Sequence, residues 1–141
     1  MLPEKIYGTG EKVILSVEDD PGAYFLIEMG FNEVGGDFRL YRVNDGQEAL
    51  DFLRRSGPYV KAPKPNLVLL NLNMPRVSGF EVLQAIKDDP AIHDVPTVVF
   101  SSSRLDRDKA RCLALGARAF VIKPSDFEEF LKVLQGVCSL V

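Results

Sequence analysis

The strongest constraint on this chain is a series of short, nearly unbroken apolar runs separated by stretches of helical spacing. The runs occupy residues 13–17 (VILSV), 67–70 (LVLL), 97–100 (TVVF) and 119–122 (AFVI). Continuous apolar runs of this length read as strands buried on both faces. Strands of a parallel sheet covered by helices are buried in this way. Residues 38–43 (FRLYRV) differ, because Arg39 and Arg42 interrupt them, and this strand is expected at a sheet edge.

The helix starts between these runs are well marked. Asp20 followed by Pro21 reads as an N-cap and a first-turn proline. Asp45 with Glu48, Ser78 with Glu81 and Ser125 with Glu128 each set a capping residue three positions before a glutamate. Phe80, Leu83 and Ile86 continue one helix at helical spacing, and Phe127, Phe130, Leu131 and Leu134 continue another. Gly116 is expected to end the fourth helix in a left-handed conformation. Residues 57–65, with Pro58, Pro63 and Pro65, read as the one long loop. The order is strand then helix, five times over, and right-handed crossovers turn this into a three-layer α/β sandwich.

The 141 residues suit one domain. We read residues 1–11 as a tail and 12–141 as the domain, with no output domain following. A net charge of −3 argues against general nucleic-acid binding. No apolar run approaches the roughly 18 residues that cross a bilayer, and no secretory signal opens the chain. Cys112 and Cys138 fall in helical patterns and are expected to pack as small apolar groups rather than pair, consistent with a reducing cytoplasm.

In sheets of this kind ligands bind outside the carboxyl ends of the strands. Glu18, Asp19 and Asp20 follow the first strand, Asn71 and Asn73 the third, Ser101 ends the fourth, and Lys123–Pro124 follow the fifth. Carboxylates hold hard cations such as Mg²⁺, while a hydroxyl and an ammonium can hold the remaining oxygens of a phosphoryl group. The set therefore suits phosphoryl chemistry, except that an amide stands where a carboxylate nucleophile would be needed. Asp20 reads more simply as a helix cap. His93 reads as a surface loop residue, and Arg104, Arg107, Lys109 and Arg111 as a solvated face.

The stretches VILSVEDD, LLNLNMPRVSGFEVL, VVFSSS and AFVIKP together resemble CheY-like response-regulator receiver domains, over nearly the whole chain. The segment DGQEALDFLRRSGPYVKAPKPNLVLL resembles, less specifically, stand-alone regulators associated with phytochrome-type histidine kinases. The resemblance implies a flavodoxin-like fold with a five-stranded parallel sheet of order 2-1-3-4-5 and five helices. It assigns Glu18 and Asp19 to the metal-binding acidic pair, Asn71 to the phosphoacceptor position, and the backbone carbonyl of Asn73 to the metal. It assigns Ser101 and Lys123 to phosphoryl contacts and Phe120 to the aromatic switch. It also implies a cis bond before Pro124.

Asn71 departs from the family pattern. A neutral amide cannot form an acyl phosphate, and loss of one negative charge weakens any Mg²⁺ site. The expected function is thus two-component signalling by a pseudo-receiver, not an enzyme. It would act in trans on a sensor histidine kinase or another signalling protein through its fourth helix, fifth strand and fifth helix. A homodimer is a further arrangement found among such regulators. The alternative is a conventional Mg²⁺-dependent phosphoacceptor in which Asn71 replaces a natural aspartate or is bypassed. A nucleotide-binding enzyme on the same fold would want G-x-G-x-x-G after the first strand, where this chain has the acidic VEDDPGAY.

Overall fold

The computed structural model describes residues 6–7, 11–35, 37–74 and 76–139. Its strands are β1 (Ile6–Tyr7), β2 (Lys12–Val17), β3 (Phe38–Val43), β4 (Leu67–Asn71), β5 (Thr97–Ser101) and β6 (Ala119–Ile122). The helices are α1 (Pro21–Val34), α2 (Gly46–Arg54), α3 (Gly79–Asp88), α4 (Asp106–Ala114) and α5 (Phe127–Cys138). The sheet order is β1-β3-β2-β4-β5-β6. Strands β3-β2-β4-β5-β6 are parallel and form the expected 2-1-3-4-5 arrangement. Strand β1 is an addition. It lies in the segment read as a tail and pairs antiparallel with β3, Ile6 opposite Tyr41 and Tyr7 opposite Leu40.

Alternation along each central strand divides the core in two. Val13, Leu15, Val17, Val68, Leu70 and Val99 face one way, onto α2, α3 and α4 through Ala49, Phe52, Val82, Leu83 and Cys112. Ile14, Leu67, Leu69, Val98 and Phe100 face the other way, onto α1 and α5 through Tyr24, Ile27, Phe31 and Leu134. Each such apolar side chain contributes about 1.5–3 kcal/mol on burial, so a register slip in β2 or β4 would forfeit both halves at once. This burial holds the strand ends in place.

Three of the four expected caps are present. Asp20 accepts from the Gly22 N–H, Asp45 from the Glu48 N–H, and Ser78 forms a complete capping box with Glu81. At α5 the cap is Asp126 rather than Ser125, accepting from the Glu128 N–H. The two residues are adjacent and both are good caps, so helical phase decides between them. Gly116 follows α4 at φ 98°, in the region glycine tolerates best. Within the long loop, Gly57–Tyr59 form a 3-10 turn that buries Tyr59. The expected cis bond before Pro124 is a correction. All peptide bonds among the described residues are trans, the isomer X–Pro bonds intrinsically favour.

Candidate functional site

The carboxyl ends of β2, β4 and β6 bring five of the expected residues into one hydrogen-bonded group. Glu18 leaves β2 almost completely buried, 2% exposed, which would be costly for a lone carboxylate. It is not alone: Lys123 Nζ lies 3.1 Å from its Oε1, and Asn71 Nδ2 donates to its Oε2 at 2.7 Å. The same amide nitrogen lies 3.0 Å from Asp19 Oδ1 and 3.2 Å from the backbone carbonyl of Asn73. Two N–H bonds thus face three oxygens, one of them buried and charged. Asp20 is exposed and occupied as the α1 cap, as its simpler reading required.

Gly79 fixes how closely α3 approaches the loop carrying Asn71 and Asn73. Its N–H donates to the Leu72 carbonyl at 2.9 Å. A Cβ there would stand 2.8 Å from Leu72 Cα and 2.9 Å from the Asn71 carbonyl oxygen. Only glycine fits this contact without moving backbone.

Ser101 and Phe120 are placed differently from the five. Ser101 is fully buried, and its Oγ accepts from the Ser103 N–H at 3.0 Å, turned to its own loop. Phe120 is half-buried and packs against the core shared with α2, α3 and α4. His93 is exposed. Cys112 is buried and Cys138 half-buried, both as free thiols.

Three features were missed at the sequence level. Arg42, read as a mark of an edge strand, is only 5% exposed. Its Nε donates to the Glu18 carbonyl at 3.1 Å and its guanidinium lies 4.9 Å from the centre of the Tyr24 ring. It ties the loop after β2 to the neighbouring strand. Second, α1 exposes Phe25, Leu26 and Met29 to solvent, beside a cleft of about 150 Å³ that Leu26, Phe127 and Phe130 line and that reaches Glu18 and Lys123. Third, Ser103 orders the start of α4, donating to Asp108 at 2.6 Å and accepting from the Leu105 N–H.

Oxygen donors suited to a hard cation converge here: two carboxylates and one backbone carbonyl. Among the described residues no three His, Cys, Asp or Glu side chains gather as a metal site, so the carbonyl of Asn73 is needed to complete a third ligand. No helix among the described residues is long and apolar enough to cross a membrane.

Comparison with known proteins bears on the family and the fold. The response regulator receiver domain family model matches residues 14–135. Response regulator Rcp1 of Synechocystis sp. is 34% identical over 126 residues, covering 89% of this chain and 86% of Rcp1. The structure of Mn²⁺-bound Rcp1 aligns with a TM-score of 0.83 at 34% identity, over 91% of this chain and 92% of that one. The phosphorylated cyanobacterial phytochrome response regulator RcpA gives a TM-score of 0.83 at 32% identity, over 89% and 90% of the two chains. The probable methanogenesis regulatory protein FilR2 of Methanothrix harundinacea is 34% identical over 125 residues, 89% of this chain and 80% of its own.

Proposed function

Since this chain belongs to the response regulator receiver family, we propose that it is a two-component signalling regulator working by protein contact rather than by a phosphoryl group on residue 71. The observation that carries this reading is the Asn71 amide, which donates to Glu18 and Asp19. An acceptor at this point would have to be a carboxylate free to attack phosphorus. The amide has no such oxygen nucleophile, and its donors are turned toward the acidic pair.

In this reading the chain is not an enzyme. Mg²⁺ binds weakly, through Glu18, Asp19 and the Asn73 carbonyl. Such a cation, when bound, would neutralise charge on a phosphoryl group. Lys123 holds Glu18 and supplies the pocket's own positive charge. Ser101 and Phe120 keep the phosphoryl-contact and switch positions of the family without a phosphoryl group to report. The partner is a sensor histidine kinase or another signalling protein, met on the face of α4, β6 and α5. Leu105, Leu113 and Ile122 are exposed there, with Arg104, Arg107 and Lys109 around them. A homodimer is a further arrangement that this reading allows.

Intact-mass analysis after acetyl phosphate and Mg²⁺ tests the proposal. The wild-type chain should gain no phosphoryl mass, whereas Asn71→Asp should gain one that mild base removes. A base-labile addition on the wild-type chain would overturn the reading. The conventional alternative draws its support from RcpA, a relative described in phosphorylated form. It requires that such an addition appear.

A further inference from the structure

Weak metal binding in this pocket has two separable causes, and only one of them is the missing charge. The oxygens of Glu18, Asp19 and Asn73 all point to one place, and that place is taken. Asn71 Nδ2 stands there, 2.7, 3.0 and 3.2 Å from the three oxygens. An amide –NH₂ carries two polar hydrogens and partial positive charge, and its bonds to carboxylates are charge-assisted. Lys123 meets the other oxygen of Glu18, so the buried carboxylate has a cationic partner on one oxygen and an amide donor on the other.

We propose that the Asn71 amide is a built-in substitute for the cation: it occupies the convergence point of the three oxygens, shares its two N–H donors among them without metal, and must be displaced for metal to enter. The proposal concerns the same pocket as the functional reading and rests on it only for the identity of the three oxygens. Metal entry has a structural consequence. With Nδ2 toward the oxygens the amide repels a cation; with the side chain turned about its last torsion, Oδ1 faces them and becomes an oxygen ligand. Asn71 therefore has two alternative states, amide inward without metal and carbonyl inward with it, and every metal-binding event is coupled to that turn.

This differs from a charge-only account in a way one substitution reveals. Asn71→Ala keeps the formal charge of the wild-type pocket but removes the internal donor. If charge alone sets affinity, Ala binds Mg²⁺ no more tightly than Asn, and less tightly if Asn71 Oδ1 is a useful ligand. If the amide competes with the cation, Ala binds Mg²⁺ more tightly, by about tenfold for the loss of charge-assisted hydrogen bonds worth about one factor of ten. Its metal-free form should also lose stability that Mg²⁺ restores.

The experiment is thermal unfolding of the wild-type chain, Asn71→Ala and Asn71→Asp in EDTA and across a Mg²⁺ titration, alongside the side-chain amide resonances of ¹⁵N-labelled wild-type protein. The expected results are a wild-type midpoint that does not move at millimolar Mg²⁺ and midpoints that rise with Mg²⁺ in both variants. The Asn71 –NH₂ pair should be resolved and shielded from solvent exchange in EDTA. Asn71→Ala that gains nothing from Mg²⁺, or a wild-type Asn71 amide that exchanges as freely as an exposed one, would overturn the proposal. Neither outcome bears on phosphoryl labelling, so failure here and failure of the functional reading are told apart.

Discussion

Arg42 and Glu18 are joined backward: the guanidinium binds the glutamate's backbone carbonyl, at 3.1 Å, and leaves its carboxylate to Lys123 and Asn71. The arginine thus positions the residue without competing for its charge. Its other face lies on the Tyr24 ring of α1, so one buried side chain fastens β3, the loop after β2 and the first helix together.

Arg42→Ala should therefore cost about 1.5–3 kcal/mol, the range for a hydrogen bond involving a charged group. Arg42→Lys should recover little, because an ammonium cannot both lie flat on a ring and donate sideways to a carbonyl. Denaturant unfolding reads this as a lowered midpoint at unchanged slope. Wild-type stability in the alanine variant would show that the contact is incidental.

Gly79→Ala should destabilise by about 1–3 kcal/mol, because its Cβ meets backbone that cannot turn aside. Gly136→Ala is the matched control. Within α5, a Cβ at Gly136 meets nothing within 4 Å, and the change should stabilise by about 0.5–1 kcal/mol. Calorimetric melting of the two variants should give shifts of opposite sign, and shifts of the same sign would refute the packing argument.

Tyr59 is pushed up to about 12, first by burial and then by the negative charge of Glu48, to which its hydroxyl donates at 3.3 Å. A raised folded-state value favours the neutral phenol, so the stability it brings is fully present below pH 10. That stability is lost as pH rises from 10 through 12. The stability of wild type minus that of Tyr59→Phe should fall across this window. A difference that stays flat between these pH values would mean that Tyr59 ionises as freely in the folded chain as in the unfolded one.

Burial raises the thiol of Cys112 to about 11, and the group is wholly inaccessible. An alkylating reagent at mildly alkaline pH should leave Cys112 unmodified in the native chain and label it only in denaturant, as peptide mass mapping would show. Rapid native labelling of Cys112 would indicate that α4 opens readily from the sheet.

Much of the site could be read from the chain because strands buried on both faces leave little freedom in where they end. Once residues 13–17 and 67–70 are central strands, Glu18 and Asn71 share an edge, and the last strand brings Lys123 to it. What escaped was of two kinds. Ile6–Tyr7 is too short to show any periodicity. Arg42 looks like a surface charge in the chain because its satisfaction depends on a carbonyl and a ring from other elements. Likewise Phe25, Leu26 and Met29 fit an apolar helix pattern, and only the three-dimensional packing shows that α1 turns them outward.

Glu18 and Lys123 lie 105 positions apart. During synthesis the carboxylate emerges well before its ammonium partner, which lies that much further along the chain. Until β6 joins the sheet, moving that carboxylate out of water is opposed by an uncompensated charge, and closing so long a loop is slow. The pocket is therefore among the last parts of the molecule to set. A chain that has not yet placed β6 cannot present it, so a partner that reads this edge would recognise only molecules in which β2 and β6 already stand in one sheet.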